Sequence, residues 1–528
     1  MKFTFLYGSM LVLLFWGCTK KYNVASTLVP DKIALPTSIE SLVKLDSTYV
    51  GTSTVISGLD VPWELIWGPD NWIWFTEQGG TVSKVNPATG ERKVLLRIPA
   101  VYRKRSMGLL GMALHPDFKK SPHVYLDYTY LKEDKVLSKL VRYTYAADSL
   151  INPIILLNDI PGANGHNGAR ILISPDKKIM LTTGDATNGK NSQNTNSRNG
   201  KVLRLNLDGS IPKDNPLPGN PVWSWGHRNQ QGLVYTANGI LFSSEHGDAS
   251  DDEVNIIRKG ANFGWPNVQG FCDSPEEKNF CAHTLVTEPL KAWTPTIAPA
   301  GIEYYNAPAI PEWQNAIILT TLKENDLRVL RLNPDGNAVV SEKIYFKKAF
   351  GRLRDVCVAP NGDIYVATSN RDWNPAEGFP LPQDDRIIRI FRVKDNTRMA
   401  GGLVKSTPAA TEPEAPQSGG VISKGKALYT QYCGACHKSN GQGVAETFPP
   451  LQGSEWVVGE PENLIKVVLQ GLSGEIKVKG ETYSQQMPAF NFLPDQKIAE
   501  VLSYVRSEFG NSAANISAEA VNKVRLNK

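Results

Sequence analysis

Ser174-Pro175-Asp176-Lys177-Lys178-Ile179-Met180 is a turn followed at once by an alternating run, and the phrase recurs along the chain. Gly68-Pro69-Asp70-Asn71-Trp72-Ile73-Trp74 and Ala359-Pro360-Asn361-Gly362-Asp363-Ile364-Tyr365 repeat it, and weaker copies begin at His115-Pro116-Asp117, Ala237-Asn238-Gly239 and Pro299. Pro presets φ, and Asp, Asn and Gly tolerate the remaining turn angles, so each copy reads as a turn opening onto a strand. With Pro69, Pro116, Pro175, Ala237, Pro299 and Pro360 as markers, the intervals are 47, 59, 62, 62 and 61 residues. Each interval holds four short strands with loops, and six near-equal units describe an all-β six-bladed β-propeller. Similar runs at 200–206, 327–333 and 385–390 read as the strand that follows each turn strand.

Working outward, the 528 residues carry 57 Lys and Arg against 52 Asp and Glu. The net charge of +5 is spread along the chain, which argues against a nucleic-acid partner. Gly and Pro stay well below the share of a disordered or collagen-like chain. At the N-terminus, Lys2 precedes an apolar stretch over 3–17, too short to span a bilayer and shaped like a secretory signal. Gly17-Cys18 closes it in the manner of a bacterial lipobox, so Cys18 is the expected lipidation site; the alternative is an ordinary signal peptide with an incidental cysteine. The expected location is the periplasm or the outer membrane of a Gram-negative bacterium, held by a lipid anchor.

The reading divides the chain into a signal at 1–18, a tether at 19–45, the propeller at 46–396, a flexible linker at 397–420, a small all-α domain at 421–510 and a loose polar tail at 511–528. Helical spacing is clearest at 424–433, 461–472 and 494–509. Cys272 and Cys281 bracket a short polar loop and could pair in an oxidising compartment, while Cys357 reads as a buried free thiol.

Cys433-Gly434-Ala435-Cys436-His437 is the attachment sequence of a c-type haem: two thioethers from the Cys pair and an imidazole to iron. A zinc site is short of ligands here, and no βαβ context supports a redox dithiol. Met487, in Gln486-Met487-Pro488, is the only Met after the linker and becomes the expected sixth ligand. Over 421–509 the chain resembles a class I cytochrome c. Ligation of haem c by His437 and Met487 suits electron transfer, because neither axial position is left open.

In the propeller, cationic and histidine-bearing turns gather: Gly165-His166-Asn167-Gly168-Ala169-Arg170, Gly184-Asp185, Gly226-His227-Arg228-Asn229-Gln230-Gln231-Gly232, Glu245-His246-Gly247-Asp248, Lys323 and Arg352-Leu353-Arg354-Asp355. Arg and Lys crowded without matching acids suggest a polyanionic ligand. Singly, His227 and His246 read as turn or core histidines.

With Asp251-Asp252-Glu253-Val254-Asn255 and Asn262-Phe263-Gly264-Trp265-Pro266, these motifs resemble, in order and spacing, the soluble quinoprotein glucose and sorbosone dehydrogenase family. Such proteins are six-bladed propellers that bind pyrroloquinoline quinone (PQQ) and calcium. The resemblance spans about residues 59–391. It implies that His166 is the general base, that Asp185 holds its second nitrogen, and that Arg228 with Asn229 polarises the quinone carbonyl. It further implies that Lys323, Arg352 and Arg354 hold the PQQ carboxylates and that Thr296 and Ala298 line the cofactor. The carbonyls of Gly247 and Asp248 take the family's calcium position. Trp72, Gly165, Thr294 and Asp248 depart from the glucose enzymes, so glucose is not assumed as substrate.

The sequence therefore reads as a dehydrogenase of an aldose or related aldehyde, passing electrons from PQQ to its own haem and then to an external acceptor such as a cytochrome or oxidase. The alternative from another class is a propeller that only binds glycan or protein, with the cytochrome serving an unrelated partner. A calcium-dependent lactonase is weaker, because it leaves the fused cytochrome unexplained.

Overall fold

The turn at 174–177 hands the chain to strand Lys178–Thr183, which pairs antiparallel with Ile171–Ile173 on one side and Lys201–Asn206 on the other. Val222–Trp225 completes that four-stranded blade. The last turn position takes a left-handed φ of 60° at Asn71 and Lys177 and 86° at Gly362, which is why Asn and Gly favour it. This is a computed structural model, and it describes residues 39–393 and 421–527.

Six such blades form a ring. Their innermost strands, Pro62–Trp67, Leu109–Leu114, Ile171–Ile173, Gln230–Tyr235, Pro299–Tyr305 and Leu353–Val358, neighbour one another around the axis. The ring closes where Tyr49–Ile56 pairs antiparallel with Ile387–Val393, with Tyr49 opposite Val393. The closing sheet thus joins the two ends of the domain and leaves no open seam there. Between blades the strands bury continuous apolar layers, such as Ala113, Tyr125, Ile179, Leu181, Leu203 and Val222. These strands are apolar on both faces because each sheet is sandwiched between two others.

Three expectations are corrected. Residues 41–44, assigned to the tether, form strand Ser41–Lys44, which pairs with Tyr49–Ile56 as a fifth strand on the last blade. Pro299 does not sit in a turn between strands but begins strand Pro299–Tyr305; the turn of that blade falls at 306–315. The tail is not loose: Ala518–Leu526 is a helix whose Val521 and Val524, with Ile516, are buried in the helical domain. Arg525 fixes it by donating to Asp495 at 2.7 Å and to the Leu493 carbonyl at 2.7 Å.

The helical domain contains Val421–Leu428, Pro461–Gln470 and Asp495–Ser507. Leu464, Val468, Ile498, Val501, Leu502 and Val505 meet at its core, as the periodicity predicts. Cys272 and Cys281 form a disulfide, and Cys357 is a buried free thiol. Among the described residues no helix is long and apolar enough to cross a membrane. Cys18, the signal segment and the expected linker at 397–420 lie outside the described residues.

Candidate active site and haem-binding segment

His166 sits on the loop that enters the third blade, and Asp185 follows that blade's second strand. The two side chains meet: His166 Nδ1 and Asp185 Oδ1 are 2.8 Å apart. The Asp185 amide donates to the Arg228 carbonyl at 2.9 Å, so the three residues are tied by backbone as well as by side chain. Close approach demands glycine beside them, because a Cβ on Gly184 would lie 1.9 Å from the His166 carbonyl oxygen. His166 itself takes a left-handed φ of 56°, a conformation that costs a non-glycine residue free energy and is retained where the surroundings impose it.

Trp265 is a site residue the sequence reading did not assign. Its indole Nε1 donates to Asp185 Oδ2 at 2.8 Å, so both carboxylate oxygens are occupied. Its ring also lies under the Arg228 guanidinium, 5.3 Å from centroid to Cζ. Burial, with the nearby Arg228 charge, pushes the His166 imidazole below its ordinary pKa against the pull of Asp185. Burial alone would raise Asp185, but the hydrogen bond and charge of His166, with Arg228 and Trp265, hold it below the usual carboxylate value. The result is a neutral imidazole backed by a charged carboxylate.

The cationic residues do gather, but not without acids. Arg228 Nη2 donates to Asp248 Oδ1 at 2.8 Å, while Arg352 and Arg354 share one oxygen of Asp372, at 3.3 and 3.2 Å. Asp372 is thus a second unassigned member, and it leaves two guanidinium groups to one carboxylate. Arg354 also donates to Gln231 Oε1 at 2.9 Å, and Lys323 donates to Thr296 Oγ1 at 2.8 Å. Burial and the repulsion of Arg352 and Arg170 bring Arg354 down to about 10 despite Asp372.

Among the described residues, the Nε atoms of Arg228, Arg352 and Arg354 and the Nε2 of His246 are buried without any partner. Buried donors left open in this number fit an anionic, hydrogen-bond-accepting ligand. His246, read as a turn or core residue, therefore belongs with the site; its Nδ1 faces Asn229 Nδ2 at 3.4 Å. His227 is a core residue as expected, held between Glu245 and Ser224 at 2.9 Å each.

The loops that carry Gly247 and Ala298 are locked together by Asp252. One of its oxygens accepts the Gly247 amide at 2.7 Å, and the other accepts the amides of Ile297 at 2.5 Å and Ala298 at 2.6 Å. The carbonyls of Gly247 and Asp248 accept no hydrogen bond among the described residues, so their oxygens are open to a hard cation.

In the helical domain, His437 Nδ1 lies 2.9 Å from the Pro449 carbonyl. A carbonyl only accepts, so Nδ1 carries the proton and Nε2 keeps its lone pair for a metal. Cys433 and Cys436 are free thiols on the turn before it. Met487 is fixed by reciprocal backbone bonds with Leu472, at 2.9 and 2.8 Å, and packs with Cys433 against the apolar core of the domain. These residues fit a haem held through two thioethers with imidazole and thioether ligands.

Comparison with known proteins agrees in both halves. The profile of the Glucose / Sorbosone dehydrogenase family matches residues 59–374, and that of Cytochrome c matches residues 422–508. Quinoprotein glucose dehydrogenase B of Acinetobacter calcoaceticus is 33% identical over 424 residues, covering 63% of this chain and 88% of its own. The structure of the PQQ-bound form of an aldose sugar dehydrogenase from Streptomyces coelicolor superposes with a TM-score of 0.57 at 31% identity, over 65% of this chain and 98% of its own. Cytochrome c-552 of Thermus thermophilus is 39% identical over 113 residues, covering 20% of this chain and 86% of its own.

Proposed function

The chain belongs to the glucose/sorbosone dehydrogenase family and continues into a cytochrome c domain, and from that premise we propose that it oxidises an aldose or related aldehyde with PQQ, calcium and a covalent haem c. The observation that carries the reading is the His166–Asp185 pair beside guanidinium groups whose Nε donors stay open. When bound, PQQ supplies the hydride acceptor and haem a one-electron carrier.

The chain's own residues supply the rest. With Nδ1 committed to Asp185, His166 takes the proton of the substrate hydroxyl at Nε2. Asp185 stabilises the imidazolium that forms, and Trp265 keeps that carboxylate charged and oriented. Arg228 and Asn229 are placed to stabilise negative charge developing on a carbonyl oxygen. Lys323, Arg352 and Arg354, with Thr296 and Ala298, would hold the tricarboxylate, and the carbonyls of Gly247 and Asp248 would hold calcium. Cys433, Cys436, His437 and Met487 would hold the haem. A signal segment and Cys18 support export and lipid anchoring, with an external cytochrome or oxidase as final acceptor.

His166→Gln tests the reading against a propeller that merely binds glycan. Loss of sugar-dependent dye reduction with PQQ affinity kept supports the dehydrogenase, whereas retained turnover would contradict the assigned base.

A further inference from the structure

One end of the propeller grips the haem domain at the turn that carries its cysteine pair. Asn374 Nδ2 donates at 3.3 Å to the carbonyl of Ala435, the residue between Gly434 and Cys436. Lys438, next after His437, donates to Asn374 Oδ1 at 2.6 Å and to the Pro375 carbonyl at 3.2 Å. From the loop between the first and second blades, Arg105 donates to the side chain of Gln485, two residues before Met487, and to the Glu446 carbonyl at 3.2 Å. Trp373 and Phe448 pack ring to ring at 5.7 Å, and Ala249 of the propeller is buried within the apolar cluster of the haem domain.

That rim is also the catalytic end. Ser106, beside Arg105, donates to the Asn164 carbonyl at 2.9 Å, two residues before His166. Asn374 follows Trp373 and Asp372, the carboxylate that Arg352 and Arg354 share. The loops that build the site therefore also build the contact.

We infer that this rim, through Arg105, Trp373 and Asn374, is a docking site for the chain's own haem domain that turns the Cys433–His437 segment toward the catalytic centre. The inference rests on the dehydrogenase reading for its purpose, but the contact stands without it. Arg105 and Lys438 donate to neutral acceptors here, so the dock is a small hydrogen-bonded clamp around one aromatic pair rather than an ion-paired interface. Such a clamp selects orientation while remaining releasable.

The test uses the full-length holoprotein carrying Arg105→Glu together with Asn374→Ala. Three readouts are compared with the parent chain: the radius of gyration by X-ray scattering, the rate of haem reduction after sugar is mixed in, and sugar-dependent reduction of a small dye. The expected result is a larger radius, haem reduction slowed by about tenfold or more, and dye reduction changed by no more than about twofold. Adding Gln485→Arg to Arg105→Glu, which reverses the contact and puts a charge-complementary pair in its place, is expected to recover most of the haem-reduction rate. Unchanged scattering and unchanged haem reduction would overturn the docking site. If the parent chain reduces no dye with any sugar, the functional reading fails, yet scattering still decides the dock.

Discussion

His166 Nδ1 and Asp185 Oδ1 lie 2.8 Å apart, and this single contact sets which imidazole nitrogen is left free to act as a base. A carboxylate only accepts, so it fixes the proton on Nδ1 and leaves Nε2 basic. Trp265 fills the second oxygen and prevents the carboxylate from rotating away.

Asp185→Asn removes that constraint while conserving shape. The amide can donate to Nδ1 and drive the proton to Nε2, the wrong nitrogen for a base. Sugar-dependent kcat/KM is expected to fall by about 10²–10⁴-fold, with PQQ affinity and melting temperature little changed. A fall of less than about threefold would show that His166 does not act through this pair.

The pH profile follows from the same environment. Burial and the Arg228 charge lower the His166 pKa, so the imidazole stays deprotonated to below its ordinary value of 6.5. Protonation switches it off, hence the acid limb of kcat/KM is expected below pH 6.5 in the parent enzyme. Arg228→Gln removes the repelling cation, so besides lowering the rate it should move the limb upward. A limb that stays fixed or moves down in the variant contradicts the placement of Arg228 beside the base.

Arg354 and Arg352 share Asp372, so neither guanidinium is fully compensated. Arg354→Ala is expected to weaken PQQ binding by about 10–100-fold, the cost of losing one buried charge-assisted contact. Calorimetric titration of the apoprotein with PQQ checks this without turnover. An equal affinity in the variant would remove Arg354 from the cofactor site.

Asp127 offers a stability test at a residue with no part in the proposed chemistry. Its carboxyl is 2% exposed, has Ser138 as its hydrogen-bond partner at 2.7 Å, and is pushed up to about 7 by burial. The unfolded chain ionises it near the ordinary value of 3.8, so between 3.8 and about 7 the folded state holds the extra proton. Stability from this group is therefore lost as pH rises through that window. Asp127→Asn is expected to raise the melting temperature at pH 8 and to leave it nearly unchanged at pH 4. The gain is on the order of 1–3 kcal/mol, read by thermal denaturation at both pH values. Destabilisation at pH 8 would mean that the ionised carboxylate is accommodated.

The ring was legible because a local device, the Pro-Asp-Asn/Gly turn, recurs at the period of a blade. Reading failed where that device does not mark a turn: Pro299 opens a strand instead. The strand Ser41–Lys44 was missed because only its pairing with Tyr49–Ile56 makes it one. The last helix was missed because only two of its apolar residues, Val521 and Val524, are fully buried, with Ile516 just before it, within a polar stretch. At the site, His166, Asp185 and the cationic residues stood out through their motifs. Asp372 did not, and Trp265, though part of the Asn262–Pro266 motif, was given no role, since its partner lies across the fold: Trp265 reaches Asp185 from 80 residues away. A tryptophan or aspartate in a loop carries no local signal of the partner that folding brings to it.

The central claim, sugar oxidation coupled to the attached haem, is tested most directly by one optical experiment. The haem-loaded protein is supplied with calcium and PQQ, mixed with a panel of aldoses, and followed at the reduced-haem absorption band. Reduction is expected with at least one aldose and only when PQQ and sugar are both present. Tight PQQ binding with no haem reduction by any sugar in the panel would contradict the coupled sugar dehydrogenase, and failure to bind PQQ would contradict the quinoprotein assignment itself.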